Sequence, residues 1–173
     1  MSISFYDASV GCYQQVLGSV AAIMDKGAAF AAEGDLDVEE IVATKLRDDM
    51  MPFHFQIVSV CHHSWGALQG MRDGRFSPPS FDLDKSYQQL QALVSEAQEG
   101  VASFSESDVA DLADKSMVFA IGKREMPFTN QNFLLSFSLP NFYFHATTTY
   151  DILRMLGVPL GKMDFLGPMR VTE

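Results

Sequence analysis

Apolar side chains recur at alternating spacings of four and three along four stretches of the chain. From Ser4 to Met24 they fall at Tyr6, Val10, Tyr13, Leu17, Val20 and Met24, the single-stripe period of an amphipathic helix in a bundle. From Met51 to Met71 the line is His54, Val58, Cys61, Trp65 and Leu68, with Pro52 suited to the first turn. From Asp84 to Ser103 it is Tyr87, Leu90, Val94, Ala97 and Val101. The fourth helix is predicted over Pro140 to Leu156, with proline at its start and Gly157 just past its end.

Shorter elements fill the gaps. Val38, Ile41, Val42 and Leu46 predict a helix over Asp37 to Asp49. The segment RDGRFSPPSFD (72–82) carries Asp-Gly and Pro-Pro turn signals and ends helix two. The acidic run 105–115 reads as one helical turn and a loop. SMVFAIG (116–122) is rich in strand formers and with MPF (126–128) makes a small hairpin or an extended lid. TNQNFLLSFS (129–138) opens on a capping Thr and is helical, and Pro140 either kinks it or separates it from helix four. The expected fold is therefore all-α, a single domain over residues 1–173 built as an antiparallel four-helix bundle. In up-down-up-down order, helices two and four would run parallel across its diagonal.

A polar cluster interrupts this pattern. Asn141, His145, Thr148, Thr149, Ile152 and Leu156 share one face of helix four at about 100° per residue. Ile152 and Leu156 must face the core, so Asn141 and His145 face it too. The face is apolar at its C-terminal half and polar at its N-terminal half, as a pocket in one end of a bundle requires. On helix two, His54 lies on the apolar line, His62 about 80° off it, and His63 on the opposite side. Asn141, Thr148 and Thr149 are the candidate ligand-binding residues. His145, His62 and His54 are the candidate metal ligands, two of them with an oxygen donor and water being able to hold a divalent ion. The other reading makes His145 a core histidine tied to a Thr or Tyr hydroxyl. No HxxxH or ExxH spacing occurs on any helix.

Composition narrows the function classes. Hydrophobic residues are 47% of the chain and charged ones 20%, enough for a sizeable core. A net charge of -10 with no Lys/Arg cluster disfavours nucleic-acid partners. Cys12 and Cys61 have no CxxC spacing and are expected as buried free thiols. Neither a signal peptide nor an apolar run of about 20 residues is visible, so a cytoplasmic protein without a membrane partner is expected.

DDMMPFHFQIVSVC (48–61) and LPNFYFHATTTYDILRMLGVPLGKMDFLG (139–167), in this order and separation, resemble the signatures of a bacterial family of domains of unknown function. That family is similar to a branch of the DinB/YfiT-like superfamily, whose members are grouped as metalloenzymes. The likeness covers the whole chain. It implies a four-helix bundle, a homodimer, and a nickel or zinc site made of one histidine from helix two and a pair four residues apart on helix four. Carried over, the helix-two ligand falls at His62 or His54, and His145 matches one member of the pair. The other member falls at Asn141 or Thr149, neither a histidine nor a carboxylate. The implied site is thus a modified or vestigial metal or small-molecule pocket between helices two and four. The implied chemistry is metal-dependent thiol transfer or hydrolysis. The alternative is a non-catalytic small-molecule-binding or dimeric interaction protein, with no cofactor at all.

Overall fold

The computed structural model describes residues 3–34 and 36–171. Four long helical stretches enclose one hydrophobic core. The first joins a π turn, Asp7–Gly11, to α1 (Cys12–Glu33). A short α2 (Val38–Ala43) follows, capped by Asp37 through the Glu39 N–H. The second stretch is α3 (Phe53–Cys61), a π turn at His62–Gly66, and α4 (Ala67–Asp73), stopped by Gly74 at φ 75°. The left-handed conformation there suits glycine, which has no Cβ to clash. The third is α5 (Tyr87–Ala102), opened by a capping box of Ser86 and Gln89. After α6 (Glu106–Ala113), the fourth runs unbroken through α7 (Asn130–Phe133), a π turn at Leu134–Ser138, and α8 (Leu139–Met155). A last short helix, α9 (Lys162–Leu166), packs on α1, its Phe165 ring edge-on to Tyr150 at 6.0 Å and its Leu166 carbonyl accepting from Gln15.

The apolar lines predicted for helices one and three are buried. Val10, Tyr13, Leu17, Val20 and Met24, and Tyr87 through Val101, all lie in the core. Several expectations need correction. The chain is mostly helical but not all-α. Arg75–Phe76 (β1) pairs in parallel with Ser116–Ile121 (β2), which pairs antiparallel with Arg124–Thr129 (β3). The hairpin was legible from its strand formers, whereas β1 has only two residues and no periodicity to read. The helix expected to reach Asp49 stops at Ala43, where Thr44 turns extended and its carbonyl accepts the Phe53 N–H. The acidic run forms a full helix rather than one turn, because Ser105 and Asp108 build a capping box. Pro140 neither breaks nor separates the fourth helix. Proline lacks the N–H for an α-type bond and its ring crowds the carbonyl four residues back. The wider π turn just before it accommodates both.

Helices two and four are neighbours, not diagonal partners. α1 packs on α5 and α8, and α3 packs on the same two. Gln56 meets His145 while the His63 backbone meets Ser138, so α3 and α8 run antiparallel. Gly27 approaches Tyr87 and Leu153, placing one end of the helical body. Trp65 packs on Gly100 at the other end. Helices two and three therefore run in the same direction, and residues 74–86 must return along the body between them. That extended strap is held near its two ends, by His62 Nε2–H donating to the Ser77 carbonyl (2.6 Å) and by the Lys85 N–H donating to His54 Nε2 (3.1 Å).

A candidate histidine pocket between helices two and four

Helix two presents a different face from the one its sequence suggests. Its most buried line is Phe53, Ile57, Val60, Ser64 and Ala67, one residue ahead of the expected line, while Val58 and Trp65 are only half-buried. In this phase His63 turns inward, and it is 6% exposed. The expectation that His63 points away is thus reversed. Its ring stacks on that of His145 with centroids 6.0 Å apart and planes 13° apart. Phe76 and Phe137 flank His63, and Phe55 and Phe144 flank His145, all with centroids within 6 Å of the imidazole. Phe76 reaches this place because β1 sets it on the sheet's inner side, against Phe119 and Phe133.

The amide of Gln56 orients His145. Gln56 Nε2 donates to the Met51 carbonyl at 2.8 Å, which turns its Oε1 toward His145 Nδ1 at 2.7 Å. An amide oxygen only accepts, so His145 carries its proton on Nδ1 and leaves Nε2 as a bare acceptor. Among the described residues that Nε2 has no hydrogen-bond partner, and His63 Nδ1 is buried without one. Burial holds both imidazoles neutral at physiological pH. The His145 value falls to about 4. That of His63 falls to about 3, with His62 and His145 nearby adding to the effect of burial.

The backbone of His63 is tied across three helices. Tyr13 and Ser138 share a buried hydroxyl–hydroxyl bond of 2.8 Å, and Ser138 Oγ donates to the His63 carbonyl at 2.7 Å. The serine has one hydroxyl proton, so the tyrosine must donate to it. This chain of bonds joins the π turns of helices two and four, where bulged geometry leaves carbonyls free of their usual helical donors.

The other candidate residues sit as follows. His54 is buried at the start of α3, its Nε2 occupied by the Lys85 N–H and its Nδ1 without a partner. Burial, with Lys85 adding to it, lowers its pKa. His62 faces outward, stacked on Phe76 at 4.3 Å and committed through Nε2 to Ser77. Asn141, Thr148 and Thr149 each donate to a carbonyl four residues back, those of Phe137, Phe144 and His145. Such local bonds satisfy a polar side chain on a helix without calling on a ligand. The structure thus brings His145 to one helix-two histidine, His63, and not to His54. Gln56, which replaces the Thr or Tyr hydroxyl expected beside His145, carried a faint sequence signal as a polar residue in the apolar run FHFQIV. Cys61 is buried and its thiol pKa is pushed up by burial, while Cys12 is only half-buried.

Neutral imidazoles are the right donors for nickel or zinc. The number falls short: among the described residues no group of three or more His, Cys, Asp or Glu could hold a metal ion. The three-histidine set implied by the superfamily does not fit these residues. Among the described residues no helix is long and apolar enough to cross a membrane.

Comparison with known proteins agrees with the fold. No curated protein matches the chain. A crystal structure of a DinB family member protein from Shewanella denitrificans is similar, with a TM-score of 0.83 at 27% identity over 97% of this chain and 94% of that one. Residues 5–166 match the family described as "Domain of unknown function (DUF1993)". The chain belongs to that DinB-like family of unknown function.

Proposed function

We propose that this chain is a DinB-type four-helix bundle, elaborated by a small sheet, whose modified pocket between helices two and four binds a small molecule rather than a three-histidine metal centre. The observation that carries this reading is the parallel His63–His145 pair, 6.0 Å apart in a surround of four phenylalanine rings. The ligand class that suits it has an apolar body and one O–H or N–H donor, received by the bare Nε2 of His145. Pockets of this kind pair an apolar lining with a few placed polar groups. A general base works best with a pKa near the operating pH, and imidazoles held near 3 and 4 are far from that. This favours binding over acid–base catalysis. The homodimer, the cytoplasmic location and the thiol-transfer chemistry of the superfamily stay with the resemblance, and light scattering on the purified protein tests the first of them.

The test is histidine-detected NMR with phenol as the probe. Phenol is expected to move the His63 and His145 ring resonances saturably in wild type and to lose affinity in His145→Phe, which keeps a ring but removes the acceptor. Unmoved resonances overturn the pocket. Stoichiometric nickel or zinc in untagged protein, absent from His145→Ala, overturns the ligand reading in favour of a metal centre.

A further inference from the structure

The π turn of helix two has an outer side as well. His63 turns inward, onto His145, and its neighbour His62 turns out, onto a groove of about 340 Å³. The groove lies between helix two, Leu93 of α5 and the Pro78–Pro79 portion of the strap, and Trp65 and Gln69 line it with His62. Its size falls at the small end of ligand pockets, and its lining is mostly apolar with a few polar groups. Two glycines shape it. A Cβ at Gly100 would overlap the Trp65 indole, so the ring lies flat on the α5 backbone and is fixed there. A Cβ at Gly66 would stand 3.1 Å from His62 Nδ1, so glycine keeps a methyl group from crowding that nitrogen.

The hydrogen bond to the strap sets the chemistry of His62. A carbonyl only accepts, so Nε2 donates to Ser77 and the neutral ring keeps Nδ1 as an acceptor. The groove therefore offers a flat indole, two proline rings, one fixed acceptor, and the Gln69 amide.

We propose that this outer groove is a second small-molecule site, for a planar heteroaromatic ring that packs against Trp65 and the proline pair and donates one N–H to His62 Nδ1. An uncharged or cationic ring is favoured over an anion, because the chain carries a net charge of -10 and anions would be repelled. Aromatic packing on tryptophan and prolines supplies affinity, and the single acceptor supplies orientation. The site does not depend on the inner histidine pair.

Trp65 is the only tryptophan in the chain, so its indole N–H gives one unambiguous NMR resonance. The probe is benzimidazole, titrated into the full-length protein labelled with nitrogen-15. The expected result is a saturable shift of the Trp65 indole and Gln69 side-chain resonances, with that of His145 unmoved; His63, whose ring centroid lies 5.6 Å from that of His62, reports on both sides. 1-Methylbenzimidazole, which lacks the N–H, should bind at least about five-fold more weakly, the loss of one hydrogen bond. Gly66→Ala, which crowds His62 Nδ1 while improving helix propensity, should weaken benzimidazole by a similar factor. His62→Phe, which keeps the stack on Phe76, should do the same. An unmoved or unsaturable Trp65 resonance overturns the site. Equal binding of the methylated compound overturns the role given to His62. Movement of His63 and His145 without Trp65 assigns benzimidazole to the inner pocket instead and overturns the proposal.

Discussion

Removing the Ser138 hydroxyl should destabilise the protein out of proportion to its size. The hydroxyl is fully buried and serves two partners at once, accepting from Tyr13 at 2.8 Å and donating to the His63 carbonyl at 2.7 Å. Ser138→Ala opens almost no cavity, so its effect is electrostatic. It strands a buried phenol and a buried carbonyl, each costing about 1–3 kcal/mol without a partner. Together the two come to about 2–6 kcal/mol, a large share of the 5–15 kcal/mol typical of a folded domain. Tyr13→Phe keeps the edge-on contact with Phe142 at 5.0 Å and leaves the Ser138–His63 bond in place. It should cost only about 0.5–1.5 kcal/mol. The pair is therefore coupled: once Ser138 is alanine, deleting the phenol oxygen removes an orphan and should cost nothing or restore stability. Urea denaturation of the four proteins, with the m-value checked for constancy, measures this directly. Additivity within about 0.3 kcal/mol would show that no such relay joins helices one, two and four, and the account of how His63 is held would fail.

Three further outcomes follow from the same geometry. His63 and His145 should show flat ring shifts from pH 8 down to about 5.5, since burial lowers their values to about 3 and 4; a midpoint near 6.5 in either would refute the buried, neutral pair. The unfolded chain takes up these protons near pH 6.5 while the folded one does so only near pH 4 and below. Stability should therefore fall as pH drops through that window, and less so in His145→Phe, as read by urea midpoints between pH 7 and 4. Gly100→Ala would force a methyl into the Trp65 indole. It should cost about 1–3 kcal/mol by overpacking and red-shift the tryptophan emission, whereas an unchanged spectrum and melting temperature would place the indole elsewhere.

How much of this was legible depended on how selective each helix's pattern was. Helices one and three alternate apolar and polar residues cleanly, and every predicted line there proved buried from Val10 and Tyr87 onward. Helix two opens FHFQIVSVC, which is apolar nearly all round. Two lines one residue apart, one through His54 and one through Phe53, fit almost equally well. The structure chooses the second because the strap covers the other side, through Ser77 and Lys85, and a strap of turn residues leaves no periodic mark. In helix four the most buried line runs through Phe142, Ala146, Thr149 and Leu153, and Asn141, His145 and Leu156 stand half-buried beside it. His145 does turn toward helix two. Its partner was misread, because a one-residue error of phase exchanges His62 for His63.

The same error explains why the superfamily's ligand positions transfer poorly. An α-helix turns by about 100° per residue, so residues 62 and 63 cannot serve the same side of helix two. His62 holds the strap at Ser77 and stacks on the outer side of Phe76. His63 meets His145, whose own four-residue neighbours Asn141 and Thr149 bond their own backbone. A third imidazole would have to come from one of those two positions on helix four, and neither supplies it. Gln56 stands at 2.7 Å from His145 Nδ1, where its carbonyl oxygen fixes the tautomer and the tilt of the ring, as a hydrogen-bond acceptor behind a metal-ligating histidine does. The chain thus keeps an oriented imidazole and its partner across the helix interface while lacking the third donor. Substituting histidine at Asn141 or Thr149 separates the two histories this allows. If nickel or zinc then binds in a His145-dependent way, the pocket is a metal site short of one ligand; if none binds, the His63–His145 pair is built for a different occupant.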